Sequence, residues 1–264
     1  MNSRLIKIGV LLGLLMFLGA GPAFWGCGPA GAAPPEEAAA EDIPAEFLDD
    51  DLDFLDEEEE QDVPRVADPL APWNRLMYHF NDKLYFWVLK PVARGYKAVT
   101  PTPARTGVKN FFHNLIYPIR LVNCLAQGKM NAAGTETERF LTNTFVGILG
   151  FGDPARHQLN MLPHDEDLGQ TLAHYGVGDG FYIVWPILWP STLRDSVGFV
   201  GDRFLNPVTY VDPLALSLGI KGYETINDTS FRIGDYEALK EAAVEPYNAL
   251  RNAYIQYRRT QVAE

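Results

Sequence analysis

The stretch HYGVGDGFYIVWPILWPSTLRDSVG, residues 174–198, contains the segment that most constrains how this chain folds. Its centre, residues 181–190, holds ten apolar residues without a charge, and a helix of this length is too short to span a bilayer. Pro186 and Pro190 interrupt a helix and leave gaps in the hydrogen bonding of a central strand. We therefore expect the segment to line a lipid-filled path or to dip into one leaflet of a membrane, rather than to be a central element of the fold.

Glycines flank this segment on one side and a helix-capping pattern flanks it on the other. Gly176, Gly178 and Gly180 permit left-handed or close-packed backbone, which predicts a turn or a hinge. Thr192 followed by Asp195 resembles a capping box and predicts the start of a helix. The spacing of the glycines also fits a G-x-G-x-G motif, but no strand of a βαβ unit precedes it, which argues against a nucleotide-binding loop.

Outside this stretch, apolar residues recur at helical spacing from Asp68 onward, and alternating strand patterns are scarce. The predicted fold class is therefore all-α, built from short helices. The first helix is expected to stop at Pro91, Gly128 to cap another, and the last two to begin at Asp235 and near Pro246.

The apolar stripe of the first helix, residues 73–88, is unusually aromatic. Two interpretations stay open. An aromatic stripe at helical spacing is commonly part of a hydrophobic core, but Trp and Tyr also favour the membrane–water boundary, where an amphipathic helix lies in the interface plane.

The N-terminus has the pattern of an export signal. Arg4 and Lys7 precede an apolar run at residues 8–20, so residues 1–26 are predicted to be a signal peptide. Cys27 follows Gly26, as at a bacterial lipoprotein cleavage site, and is the candidate for lipidation. Ordinary cleavage near residues 30–32 and an uncleaved anchor are the alternatives.

The charge of the chain is unevenly distributed. Residues 1–66 hold 15 acidic and 3 basic side chains, whereas residues 67–264 hold 19 of each. Residues 27–67 are therefore predicted to be an acidic disordered tether, with a segment near Phe47–Leu55 that folds on a partner as the alternative. The neutral body, residues 68–264, gives no support to nucleic-acid binding, which requires a basic face.

The sequence offers little catalytic chemistry. His164 precedes three acidic residues, but no second histidine stands at metal-ligand spacing. Ser191 lacks a nucleophile elbow, and Cys124 is expected to be a small buried hydrophobe. We therefore predict no enzyme activity, no metal and no cofactor.

Five blocks of the chain, in one order, resemble the MlaA/VacJ family of outer-membrane lipoproteins. The resemblance covers most of residues 68–230 and is less distinctive after Gly234. The blocks are residues 68–115, NCLAQGK at 123–129, RFLTNTFVGILGFGDPA at 139–155, residues 167–198 and NPVTYVDPL at 206–214.

The resemblance implies a ring-like assembly of short amphipathic helices in one membrane leaflet, with a central amphipathic channel. It implies that the protein lies on the periplasmic face of the outer membrane of a Gram-negative bacterium. There it would remove mislocalised phospholipid from the outer leaflet and pass it to a soluble periplasmic lipid-carrier protein, in association with a trimeric porin. The alternatives are a porin-associated scaffold without transport and a periplasmic lipid hydrolase, for which no nucleophile is recognisable.

The resemblance also implies roles for particular residues. Gly176, Gly178 and Gly180 match a flexible loop beside the channel. Asn74, Asn81 and Asp82 match a region where the family's channel is sensitive, with plain solvation of a polar face as the alternative. Arg194 and Asp195 match a block that lines the polar side of the pore, or that caps and pairs.

Overall fold

The computed structural model describes residues 66–263, which form a mainly helical body. The all-α prediction is confirmed, with one two-stranded sheet that it missed. The predicted signal peptide, Cys27 and nearly all of the predicted tether lie outside the described residues. The ring and its channel stay predictions.

One long helix opens the described part of the chain. α1 (Ala71–Leu84) continues through a π-helical segment (Tyr85–Leu89) into α2 (Lys90–Val99). The expectation that Pro91 ends this helix is wrong. The N–H of Lys90 reaches back five residues to the carbonyl of Tyr85, and this wider turn accommodates a proline ring that would clash in a regular α-helix.

The remaining helices are short to medium in length, and the starts predicted at Asp235 and Pro246 are confirmed. The C-terminal cap at Gly128 is also confirmed, because its φ is 74° and the N–H of the next residue, Lys129, bonds the Cys124 carbonyl at 2.9 Å. These helices are α3 (Thr102–Leu115), α4 (Tyr117–Ala126), α5 (Met130–Phe145), α6 (Pro154–His157), α7 (Leu168–His174), α8 (Leu193–Asp202), α9 (Leu214–Phe231), α10 (Asp235–Ala242) and α11 (Pro246–Ala263), with a 3₁₀ turn at Pro207–Tyr210.

The apolar stretch forms an antiparallel hairpin of β1 (Tyr182–Trp185) and β2 (Trp189–Thr192). The expectation that its prolines exclude a central element is wrong, because Tyr182 and Val184 are almost fully buried. The register explains why. Pro190 lies opposite Val184, and because Leu193 donates to Phe181, alternation makes this a pair without ladder bonds. The backbone N–H that Pro190 lacks would therefore not have bonded β1, and the proline removes no hydrogen bond from the hairpin.

The main hydrophobic core surrounds this hairpin. α1 packs on β1, and α11 packs on β2. Val66 belongs to this core, and the N–H of Tyr182 bonds the Ala67 carbonyl at 2.9 Å, so these two residues pack with the helical body. The core residues are Val66, Tyr78, Tyr182, Val184, Tyr247, Leu250, Tyr254 and Ile255.

Cys124 lies in a smaller cluster between α4 and α5, where it contacts Ala132 and Ala133. It is a free, fully buried thiol. The prediction that Cys124 is a small buried hydrophobe is confirmed.

Candidate functional site

Two buried asparagines of α1 hold the outer edge of the hairpin. Asn74 donates from Nδ2 to the Tyr182 carbonyl at 2.9 Å and accepts the Val184 N–H at 2.7 Å. These backbone groups point away from β2, so the Asn74 amide takes the place that a third strand would occupy.

Asn81 repeats this arrangement at the hairpin turn. It donates to the Trp185 carbonyl at 2.9 Å and accepts the Ile187 N–H at 2.7 Å. Ile187 has a φ of 71°, which is unusual for a β-branched residue. Both asparagine side chains therefore anchor the hairpin backbone, a contact that the sequence pattern did not reveal. Their predicted place in a channel lining stays a prediction.

Asp82 ties the same helix to α10. Its Oδ1 accepts hydrogen bonds from Lys240 at 2.7 Å and from the hydroxyl of Tyr236 at 2.8 Å. The Lys240 ammonium thus balances the negative charge of the Asp82 carboxylate. Together with Asn74 and Asn81, Asp82 makes α1 the helix that positions both the hairpin and α10.

The glycine loop, residues 176–180, joins α7 to β1, and its three glycines differ. Gly176 has a φ of 83° and ends α7 in a Schellman motif, with Val177 bonded to the Leu172 carbonyl at 3.0 Å. Gly180 has a φ of 72°, and a β-carbon there would lie 2.9 Å from that of Leu193. Gly178 has neither a positive φ nor a neighbour within 4 Å of such a carbon. The loop is therefore fixed at both ends and open at its middle.

An ion pair joins this loop to α8. The Arg194 guanidinium lies 2.8 Å from Asp179 and 3.1 Å from Asp195, and its side chain is buried. Thr192 caps α8 by accepting the Asp195 N–H at 3.1 Å, as the sequence predicted. Arg194 therefore links the glycine loop to the first turn of α8.

Asp195 sits at the centre of a buried charge network. Its carboxylate accepts from Tyr254 at 2.7 Å and from Arg258 at 2.9 Å, both on α11. Burial alone would raise the pKa of Asp195, but Arg258 and Arg194 hold it below its usual value. Asp195 is thus ionised and paired.

Arg258 links the starts of two helices. It bonds Asp167, the cap of α7, at 2.7 and 3.0 Å, and Asp195 in the first turn of α8. The backbones of α7 and α8 meet at Gly169 and Gly198, where a β-carbon on Gly198 would lie 2.4 Å from the Gly169 nitrogen. Sequence reasoning missed Arg258 because its partners lie 63 and 91 residues away.

A second set of polar groups fills the interface behind α7. Asp202 accepts from Asn123 and from the Leu168 N–H, each at 2.9 Å. Burial raises the pKa of Asp202 to about 6. Asn123 in turn accepts from Thr171 at 2.8 Å. None of these residues was predicted, because each looks unremarkable in its own segment.

A third cluster lies where α5 meets α4 and the start of α6. Glu136 is fully buried and binds Arg120 at 2.6 Å, while Arg139 lies 3.3 Å from Asp153. Asn143 donates to Asp153 at 2.9 Å. Within the described residues, the buried polar and charged side chains outnumber the buried hydrophobic ones, which is the reverse of a typical water-soluble interior.

Large apolar side chains are correspondingly exposed. Phe145, the last residue of α5, is 79% exposed. In the loop that follows, Ile148 is 76% and Leu149 64% exposed, and both have positive φ angles. Along α1–α2, Trp73, Leu76, Phe80, Trp87, Val88, Val92 and Val99 are exposed. A single protruding hydrophobe needs no explanation, but successive ones along a helix or a loop mark a surface made for an apolar partner.

Two apolar grooves lie among the described residues. One, of about 700 Å³, runs between the start of α3 and the loop after α5, where Gly107 lies against Phe151. The other, of about 480 Å³, lies between α3 and α9 and is lined by Phe111, Leu216 and Tyr223 among others. In residues 66–263 we find no helix with the length and hydropathy to cross a membrane.

Known proteins are similar to this chain over most of its length. The sequence model of the family described as MlaA lipoprotein matches residues 66–261. The intermembrane phospholipid transport system lipoprotein MlaA of Escherichia coli K12 is 36% identical over 193 residues, which cover 72% of this chain and 76% of that protein. The protein of the same name from Haemophilus influenzae is 31% identical over 197 residues, which cover 74% and 78%.

A solved structure is also similar. It was described as a structural basis for maintenance of bacterial outer membrane lipid asymmetry, and its chain superposes with a TM-score of 0.66 at 32% sequence identity. The match covers 74% of the present chain and 99% of the solved one.

Proposed function

This chain belongs to the MlaA lipoprotein family, and on that premise we propose that it is an outer-membrane lipoprotein of intermembrane phospholipid transport. It removes mislocalised phospholipid from the outer leaflet through a channel and passes it to a soluble periplasmic carrier. The protein works from the periplasmic face, beside a trimeric porin, and carries lipid on Cys27. Its action maintains lipid asymmetry and forms no covalent bond with the substrate.

One observation supports the proposal above all others, namely the polar interior beneath an apolar exterior in residues 66–263. A surface of exposed Trp, Phe, Ile and Leu side chains is stable against acyl chains and costly against water. Buried ion pairs such as Arg258 with Asp195 hold short helices together from within. This arrangement suits a helical body that sits in one leaflet.

The glycine loop, residues 176–180, is the proposed moving part, and the hairpin is the fixed element to which it is attached. α1 and α11 fix the hairpin on both sides, whereas Gly178, in the middle of the loop, has open space around it. Arg194 joins the loop to α8 through Asp179. We therefore assign the loop as the element whose freedom the transport step requires, with Arg194 as the group that limits it.

The direct test is complementation in a Gram-negative strain that lacks its own family member. Outer-leaflet phospholipid is measured by surface labelling, and porin association by co-purification. The wild-type chain is expected to restore asymmetry. Failure to lower outer-leaflet phospholipid, at normal abundance and with porin still bound, would instead favour a scaffold without transport.

Two variants of Gly178 test whether transport requires a flexible loop or only a correctly folded protein. Gly178→Pro restricts φ, whereas Gly178→Ala adds a β-carbon into open space. We expect Gly178→Pro to lose lipid asymmetry while abundance, melting temperature and porin association stay at wild-type levels, and Gly178→Ala to keep all four. Full complementation by Gly178→Pro would remove the loop from the mechanism.

The anchor is tested separately by mass spectrometry of the mature N-terminus. A lipid-modified peptide beginning at Cys27 is expected. An unmodified N-terminus near residues 30–32 would refute lipidation without bearing on how the helical body handles phospholipid.

A further inference from the structure

Three cationic side chains on the long helix lack an acidic partner within the described residues. Lys83, Arg94 and Lys97 are exposed, and no carboxylate of residues 66–263 forms an ion pair with them. Their neighbour Lys90 differs, because it pairs with Glu237. All three charges are therefore accessible to a ligand outside the fold.

The same helix exposes apolar side chains beside these charges. Trp87 is 74% exposed, and the Lys83 ammonium lies 5.7 Å from the centre of its ring. Val88 and Val99 are exposed further along the helix. Free cations next to exposed Trp and Val are the composition of a helix that lies at a membrane interface.

We propose that Lys83, Arg94 and Lys97 form a cationic surface that binds the phosphate-bearing headgroups of anionic phospholipids. The inference rests on the proposed function, because it requires the helix to meet a membrane. It adds a preference that the proposed function leaves open, namely for lipids of the phosphatidylglycerol class over zwitterionic ones. Charge complementarity selects this occupant, and the adjacent apolar residues favour a lipid surface over an acidic protein or a nucleic acid.

The size of the effect follows from the electrostatics of anionic membranes. Each Lys or Arg near such a surface contributes about a fivefold preference, equivalent to ~1 kcal/mol. Neutralising all three is therefore expected to lower the preference by on the order of 100-fold. Because exposed charges are screened, the preference of the wild-type chain should itself fall as salt rises.

The experiment measures partitioning of the full chain, purified in detergent, onto vesicles by flotation. One set of vesicles is phosphatidylcholine alone, and the other is phosphatidylcholine mixed with phosphatidylglycerol. The test variant replaces the three cations by glutamine: Lys83→Gln, Arg94→Gln and Lys97→Gln. The control variant loses the same charge from sites outside the long helix that also form no ion pair within residues 66–263: Lys109→Gln, Arg156→Gln and Arg203→Gln.

We expect the test variant to lose most of the preference for phosphatidylglycerol while it binds phosphatidylcholine vesicles as the wild-type chain does. The control variant should keep the preference. Equal binding of the wild-type chain to both vesicle types, or equal losses in the two variants, would overturn the inference and leave the proposed function standing. A wild-type chain that binds neither vesicle type would overturn both.

Discussion

Asn74 and Val184 are joined by a 2.7 Å hydrogen bond from the Val184 N–H to the Asn74 Oδ1, across the interface between α1 and the hairpin. The register leaves this N–H outside the β-ladder. A side chain of α1 thus completes the edge of a strand more than a hundred residues away in sequence. The position of the hairpin, and of the glycine loop attached to it, depends on such contacts.

Removing this amide should destabilise the protein substantially. Asn74→Ala leaves the Tyr182 carbonyl and the Val184 N–H buried without a partner, at a cost of about 1–3 kcal/mol each. We expect the free energy of unfolding, measured by denaturant titration in detergent, to fall by roughly 2–6 kcal/mol. Asn131→Ala, at an exposed position of α5, should change it by less than ~0.5 kcal/mol. Equal losses in the two variants would contradict the anchoring role.

The crossing of α7 and α8 should tolerate no side chain. Gly169→Ala places a carbon 2.6 Å from the Asp195 carboxylate, and Gly198→Ala places one 2.4 Å from the Gly169 backbone. We expect each to cost about 1–3 kcal/mol in thermal unfolding, because Gly169→Ala displaces the Asp195 and Arg258 side chains and Gly198→Ala forces the two helix backbones apart. Gly134→Ala, in α5 with nothing within 4 Å, serves as the control and should be neutral or stabilising by up to ~1 kcal/mol. A Gly198→Ala protein as stable as the control would show that the helices do not meet in this way.

The three loop glycines should respond unequally to alanine. Gly180→Ala should be the most costly, because it combines a positive φ with a contact to Leu193. Gly176→Ala should cost about 1–2 kcal/mol for its left-handed conformation alone, and Gly178→Ala little. Melting temperatures of the three variants, compared side by side, check the order. The same cost at all three positions would mean that the loop is not held at its ends.

Asp202 should make stability depend on pH between about 4 and 6. Burial raises its pKa from 3.8 to about 6, so in this window the folded state binds more protons than the unfolded state. Stability contributed by the protonated form is therefore lost as pH rises through the window, by roughly 3 kcal/mol. The Asp202→Asn side chain cannot ionise, so the variant should lack this pH-dependent loss of stability.

The measurement is the difference in unfolding free energy between the two proteins at several pH values. Carboxylates with lowered pKa, such as Asp195, titrate in both proteins and cancel in the difference. The wild-type protein should lose stability relative to Asp202→Asn from pH 4 to pH 7. Parallel pH profiles would show that folding does not raise the pKa of Asp202.

Local patterns predicted the ends of several elements. Thr192 as the cap of α8, Gly128 as the end of α4, and the starts of α10 and α11 follow from residues within one or two turns of each boundary. The buried state of Cys124 was likewise predictable from its apolar neighbours. Pro91 shows the limit of such rules, since a π-helical turn absorbed the proline without ending the helix.

The sequence by itself determined that the chain is helical, that its charge imbalance lies before residue 67, and that its family is recognisable. These properties are local or additive along the chain. Only the tertiary structure decided that the proline-containing stretch is a buried hairpin, that Asn74 and Asn81 hold its edge, and that Arg258 joins Asp167 to Asp195. Those outcomes depend on which backbone groups are left unpaired and which charges are buried together. Contacts between segments far apart in sequence decide which groups are unpaired and which charges are buried. A single segment of the sequence therefore does not predict them.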